Sequence, residues 1–597
     1  MEEKRTSPLN IVGLLLMSIL FVWYMYTFSP DEVSENQNNE VVSSEISSSK
    51  SNENLFVTEK NYNVEIYNDK EEKIINIENE LISFDVTSHG GLIQNLLIKD
   101  EFNYNKQPLY LVNGDNNKLN IIFTKKSGEL IQSKFLKFDS EVNNSNISSE
   151  IILRAKISSN GNIDFKYVLP KDGYRFRFEI RINDVDQVLD KSVPIDFSWE
   201  MNSLRNSKSA QYEDRYTFMS YKNDKNKYNS LWYSESENLK EIFWISYTQH
   251  FFSSILIPNK PLIDNEISWK SISGDDIENS KFLKFFKTDS KIFYDGNMFD
   301  LVFDWYMGPT DFSILKTYDE NLEESISFGW GVFGWINKNI FFPLFGFLTN
   351  YFSHGIAIIL LTIIIRLVIS PVLYKSYVSQ AKMRILRPDI SKINERFKND
   401  AVKRQQETMK MYSRAGASPL SGCLPAFFSS FLFIPLFYFF PIAFELRGKS
   451  FLWADDLSSY DVIANLPFTI PFYGNHISLF PLLASIAIFF YSRFTAGQQM
   501  QPSQPGMPNM KFIIYLMPVM LLFFFNNYSS GFSLYYFVSN LLMISIFLFI
   551  QNFIIDQDKI LAKIEENRKK PKKQSRFQMK MEELMKKAEE QKRLRGK

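Results

Sequence analysis

Residues 355–374 read GIAIILLTIIIRLVISPVLY. This is almost unbroken hydrocarbon, and about 20 such residues are the length that crosses a bilayer core as a helix. One full charge, Arg366, stands near its middle. A guanidinium at that depth costs roughly 2.5–3.5 kcal/mol on insertion scales, so its surroundings must compensate. Arg366 precedes Tyr374 by eight residues, a helical rise of about 12 Å, too deep for an easy reach to the headgroups. That depth favours a water-filled cavity lined by the charge. The helix alone leaves a second reading open, a structural arginine satisfied by buried carbonyls.

The flanks set the direction of the span. Residues 375–419 hold eleven Lys and Arg against four Asp and Glu, a net charge of +7. Such an excess marks the cytosolic side. Pro388 and Asn399-Asp400 divide the stretch into two short helices, a hairpin. Met383, Met409 and Met411 give it a soft apolar stripe. The stripe reads either as part of a loop held by anionic lipid or as an adaptable landing surface for apolar polypeptide. On the other flank, residues 329–352 (GWGVFGWINKNIFFPLFGFLTNYF) are aromatic and broken by glycine and Pro343. Trp330, Trp335 and Tyr351 suit the headgroup zone, which predicts an amphipathic helix lying in the interface over 329–353. Asn337-Lys338-Asn339 in its middle argues against a further span.

Four more apolar runs follow at 423–444, 477–491, 512–525 and 532–555, and none contains Asp, Glu or Lys. Short polar loops alternate between them, with a tight turn at 526–531. The tail, 556–597, holds fifteen bases and eight acids, again a net charge of +7, and favours helix. It suits anionic lipid, the RNA of a translating ribosome, or simple enforcement of topology.

Towards the start, residues 9–28 (LNIVGLLLMSILFVWYMYTF) follow Lys4 and Arg5 and precede Asp31 and Glu32. The positive flank places the N-terminus in the cytosol. No small-x-small cleavage site follows, so residues 1–29 read as an uncleaved signal anchor. Residues 30–54, rich in Ser, Asn and Glu, read as a flexible tether. From 55 to 325 the texture is short alternating runs: 62–67, 81–87, 109–112, 120–123, 151–157, 163–169, 174–182, 242–246, 251–257, 282–287 and 291–294. Turn residues such as Gly90-Gly91 and Asn160-Gly161 separate them. The spacing predicts a β-sandwich on the far side of the membrane.

Formal charge is zero, with 67 bases and 67 acids, so charge is segregated rather than absent. The single cysteine, Cys423, rules out an intramolecular disulfide and a cysteine-cluster metal site. His89, His250, His354 and His476 are scattered and read as loop or surface residues. No phosphate loop, nucleophile elbow, HExxH or dinucleotide fingerprint is present. The chain therefore reads as a non-enzyme without cofactor. A cavity holding one cation and no partner acid is poor for a proton relay and suits transient hosting of polar peptide. Two other classes fit less well. A small-solute transporter would use Arg366 as a counter-charge, but no repeat relates the two halves. A tethered sugar enzyme would use the sandwich, but no convincing set of paired acids lies near a histidine there.

The run AIILLTIIIRLVISPVLYKSYVSQAKMRILRPDI, with SPLSGCLPAFFSSFLFIPLFYFF and GFSLYYFVSNLLM, resembles the bacterial YidC-type membrane protein insertases. The order of parts is similar from end to end, most specifically over 329–555. The resemblance implies a multi-domain protein. Its parts are an N-terminal signal anchor, a large periplasmic β-sandwich insert and a polytopic α-helical core of five spans (355–555, with the cytosolic hairpin at 375–419). A basic cytosolic tail completes it. It implies a bacterial inner membrane location with both termini cytosolic and residues 30–354 mostly periplasmic. It implies a hydrophilic groove closed towards the periplasm, in which Arg366, Thr362 and Tyr536 meet the client, while Met383, Met409 and Met411 on the hairpin take first contact. Implied partners are nascent membrane proteins, the Sec translocon, translating ribosomes and anionic lipids. The sandwich resembles a sugar mutarotase but is not known as catalytic in the family. Two stretches depart from the usual pattern: Asn526-Asn527-Tyr528-Ser529-Ser530-Gly531 replaces an aromatic-Pro-Ser-Gly turn, and Ser418-Pro419-Leu420-Ser421-Gly422-Cys423 replaces Asn-Pro-Leu-Gly-Gly-Cys.

Overall fold

The computed structural model describes residues 71–569 apart from 159–160, 184–188, 224–226, 233–234, 273–276, 279, 294–298, 399, 418–423, 472 and 500–509. The expected anchor, the tether, the strand at 62–67, the SPLSGC motif and most of the tail lie outside those residues. The chain divides into a β unit ending at Ser327 and a helical unit beginning at Phe328.

The β unit begins with a meander of four antiparallel strands, Ile74–Glu78, Ile82–Thr87, Ile93–Phe102 and Pro108–Asn113. A larger sheet of fourteen strands runs from Leu130–Gln132 at one end to Asp139–Asn144 at the other. Alternation makes the strands. In Arg175–Asn183 (RFRFEIRIN), Phe176, Phe178, Ile180 and Ile182 are buried while Arg177 and Arg181 are exposed, the period of two that a half-buried strand demands. This strand pairs with Asn162–Pro170 and Phe299–Pro309, setting Phe178 opposite Tyr167 and Phe303. The core is aromatic: Trp199 stacks on Tyr247 at 3.8 Å and meets Trp305 edge-on at 4.6 Å.

Two sequence readings change here. The separate runs 282–287 and 291–294 are one strand, Phe282–Ile292. Thr288 and Ser290 break the apolar pattern, yet both are buried and bonded, Thr288 to the Tyr247 hydroxyl at 2.6 Å and Ser290 to Asn265 Oδ1 at 2.6 Å. His250 is also not a surface histidine. It is buried at a left-handed turn (φ 49°) and stacks on Phe251.

The unit also holds short helices α1 (Ala210–Arg215) and α2 (Phe312–Leu315). Buried Lys284 fastens α1 to the sheet by donating to the carbonyls of Asp214 at 3.2 Å and Thr217 at 2.5 Å. Its ammonium also lies 3.7 Å from the Asp214 carboxylate. Burial raises the Asp214 carboxyl above its usual range and lowers the Lys284 ammonium.

In the helical unit, α3 (Gly331–Ile336) continues through a π turn into α4 (Phe342–Thr349). Its faces differ as expected of an interfacial helix. Trp330 and Trp335 are exposed, as is Tyr351 just beyond its end, while Phe341, Phe342 and Phe345 pack around Phe439. Asn337 points inward, donating to the carbonyls of Phe328 and Pro435.

The arginine helix is longer than the apolar run. It is α5 (His354–Ile385), 32 residues, or about 48 Å. The expected end at Tyr374 gives way because KSYVSQAKMRI has no breaker and keeps the inward face, with Ser376, Tyr377 and Gln380 buried. The hairpin is thus α6 (Arg387–Arg396) and α7 (Ala401–Ala415), ended by Gly416 in the left-handed region (φ 64°). Four apolar helices follow: α8 (Leu424–Ile442), α9 (Leu479–Gln499), α10 (Met510–Phe525) and α11 (Ser530–Phe549), the last extended by a π turn at Ile550–Ile554. Among the described residues, α5 and α11 with its extension are long and apolar enough to cross a membrane, and α8, α9 and α10 hold shorter apolar stretches. A last helix, α12 (Gln557–Lys569), opens the tail.

Candidate functional site: an arginine among hydroxyls

Arg366 and Thr362 sit one turn apart on the buried face of α5, the i, i+4 spacing that places two side chains side by side. The facing helix is α11, whose Ser533, Ser539 and Asn540 are buried and whose Tyr536 is half-buried. The Arg366 side chain is 7 % exposed. Its Nε donates to Ser539 Oγ at 2.9 Å, and Nη2 donates to the same oxygen. Nη1 has no partner among the described residues. No carboxylate pairs with the guanidinium and no backbone carbonyl accepts from it there, so the carbonyl-satisfied reading is not what these bonds show. Nor does the side chain stand in open space: it is held between helices by one serine.

Tyr536 is three residues before Ser539 on α11, with its ring edge-on to Phe433 and Phe525. The Thr362 hydroxyl donates to the Ile358 carbonyl at 2.6 Å and so offers an incoming group only an acceptor. Sequence reasoning missed Ser539, although hydroxyls at 533 and 539 in GFSLYYFVSN carried the signal. Ser533 on α11 and Ser485 on α9 are buried hydroxyls without a hydrogen-bond partner among the described residues.

The end of the unit where α5 begins is built differently. Asn526, in the departing turn, donates from Nδ2 to the carbonyls of Tyr473 (2.8 Å) and His476 (2.9 Å) and accepts on Oδ1 from the Ser478 amide (3.0 Å). Ser530 donates to the Asp456 carbonyl, and the Gly531 amide donates to that of Leu457. A single oxygen of buried Asp461 accepts from Trp453 Nε1 and from the Leu479 and Phe480 amides, capping α9. His476, expected as a loop or surface residue, is buried here in a short strand against the Asn526 carbonyl and stacked on Tyr460. The Phe451 ring lies so close to Gly355 that a Cβ there would stand 2.1 Å from it. The Asn-Asn-Tyr-Ser-Ser-Gly turn is therefore the hub of a hydrogen-bonded plug of loops at this end of the helical unit.

The descriptions of two family models cover nearly all of this architecture. Residues 74–343 match the YidC periplasmic domain and 345–559 match the 60Kd inner membrane protein. A membrane protein insertase YidC of Parabacteroides distasonis is 36% identical over 86% of this chain and 83% of its own length. One from Amoebophilus asiaticus is 30% identical over 94% of this chain and 95% of its own. The chain belongs to the YidC membrane protein insertase family. Its β unit is the family's periplasmic domain and its helical unit carries the family's apolar helices. A galactose 1-epimerase from Lactobacillus acidophilus, 10% identical, overlaps 41% of the chain and 97% of the epimerase with a TM-score of 0.27.

In this YidC family member the three hairpin methionines are not equivalent. Met383 lies near the end of α5, and Met383 and Met411 are half-buried against one apolar cluster. That cluster joins Leu386, Ile390, Tyr412, Ala415 and Ala417 to Ile560 and Ile564 of α12. Met409 is half-buried and outside it. Among the described residues no group of histidine, cysteine and carboxylate side chains is placed to hold a metal.

Proposed function

We propose that this chain inserts and folds newly made inner-membrane proteins through a hydrophilic groove between α5 and α11. Arg366, Thr362 and Tyr536 line it. The observation that carries this is the Arg366 guanidinium: it is buried among apolar helices, unpaired with any acid among the described residues, and bonded to one serine hydroxyl. In hydrocarbon each unsatisfied backbone polar group of a client costs several kcal/mol. A wet groove partway across shortens the dry path. Arg366 attracts acidic or polar client residues into it, and the unpartnered hydroxyls of Ser485 and Ser533 offer further bonds. The client's apolar segment then moves into lipid along the outer faces of α8 and α10, the latter exposing Met517, Val519, Met520 and Phe523. Burial of that segment drives the step at about 25 cal/mol per Å².

In this reading residues 1–29 anchor the chain, the β unit hangs in the periplasm from the tether 30–54, and the core spans five times with both termini cytosolic. Sec translocon, translating ribosome and anionic lipid are the partners that the basic hairpin and tail suit, and the hairpin, through Met383, Met409 and Met411, is the landing surface that takes first contact with a client. Arg366→Ala is expected to lower insertion of clients with acidic external tails about tenfold, a difference of about 1.4 kcal/mol. Arg366→Lys restores part of it, since charge rather than fork geometry does the attracting. Unchanged insertion across a panel of such clients contradicts the proposal. Deleting residues 56–320 leaves core insertion in place; loss of all activity would point instead to the β unit. Solute uptake by vesicles holding the chain would favour a transporter.

A further inference from the structure

The cluster beneath the hairpin has a sided partner. Ile560 and Ile564 stand one turn apart on α12 and are both buried in it, while Leu561 on the same helix is exposed. Asn567 Nδ2 of the same helix donates to the Ala415 carbonyl at 3.4 Å. The receiving surface is formed by Leu386, Ile390, Tyr412, Ala415 and Ala417, and its rim by Met383 and Met411. An apolar groove filled by residues at i and i+4 is the usual geometry of helix recognition. Methionine at the rim lets such a groove repack around different side chains. These are also two of the residues to which the proposed function gives first contact with a client. In this structure the chain's own tail helix covers them.

We infer that the apolar face of the hairpin is a helix-binding groove, that α12 occupies it as an internal competitor, and that a client takes its place by presenting a helix with large apolar side chains at i and i+4. The inference rests on the landing role proposed above and adds what the landing surface reads. A client that supplies a better pair displaces Ile560 and Ile564; a polar nascent chain leaves α12 docked. Residues 570–597, eleven bases and four acids, follow α12 directly and keep the released helix soluble.

The test uses the full chain in proteoliposomes, in a Cys423→Ser background, with three versions of α12: the natural one, Ile560→Asp with Ile564→Asp, and Leu561→Asp as a control of equal chemistry on the exposed side. A fluorescent peptide of residues 556–569 is the probe. It should bind the double variant about tenfold more tightly than the other two, the gain expected if the groove is about 90% occupied in the natural chain. Cross-linking from Met411→Cys to a stalled nascent chain should rise in the double variant alone and fall again when peptide is added. Equal peptide binding by all three versions overturns the inference, as do equal cross-link yields despite selective peptide binding. Absence of adducts at 411 in every version, with selective binding intact, removes the landing role proposed above and leaves α12 as a purely structural clasp.

Discussion

Two places where the helical unit buries polar side chains treat them in opposite ways. Around Asn526 and Asp461 nearly every polar group finds a protein partner, the second Asp461 oxygen being the exception. Arg366, a full charge, has one serine, and elsewhere on α9 and α11 Ser485 and Ser533 have nothing among the described residues. A buried polar group left unbonded is costly, typically about 1–3 kcal/mol. The first arrangement is therefore what a seal requires, and the second keeps its bonding capacity for something that comes and goes.

That contrast makes graded predictions. Asn526→Ala removes the side-chain partner of the His476 carbonyl and of the Ser478 amide, while the Tyr473 carbonyl keeps its bond from Asn527, and is expected to cost about 2–4 kcal/mol of stability, read as an early melting transition in detergent; a loss below about 1 kcal/mol would deny the plug its hub. Gly355→Ala drives a methyl into the Phe451 ring and should cost about 1–3 kcal/mol, recovered when Phe451 is shortened to leucine. If the clash relaxes freely, Gly355→Ala will melt like the natural chain. Ser539→Ala takes away the one oxygen bonded to Arg366, yet the change in stability should stay within about 1 kcal/mol, because a guanidinium in a wet groove exchanges the serine for water. A loss as large as that of Asn526→Ala would make the arginine layer structural, and the contrast would disappear.

Much of this architecture is legible in the chain. The Arg366 helix, the hairpin, the tail helix and the aromatic helix before Arg366 all follow from hydropathy, charge and breakers. The strands with clean alternation, such as Arg175–Asn183, do so too. What is hidden is hidden for one physical reason: inward polar residues look like outward ones. Thr288 and Ser290 split a continuous strand in the sequence pattern, Asn337 reads as a polar break, His476 as a loop residue, and Ser539 as an ordinary serine of a span. Each is decided by a partner far along the chain, namely Tyr247, Asn265, Pro435, Asn526 and Arg366. The length of α5 is obscured differently, because charge at Lys375 marks where the apolar run ends and not where the helix ends.

The claim that the arginine layer is wet from one side and sealed from the other has a direct measurement. In a Cys423→Ser background, Arg366→Cys is exposed in sealed, oriented membranes to a membrane-impermeant maleimide. The account predicts labelling from the face bearing the hairpin and none from the face bearing the Asn526 plug. Labelling from neither face, with full reaction after denaturation, would show a dry arginine layer and contradict the groove.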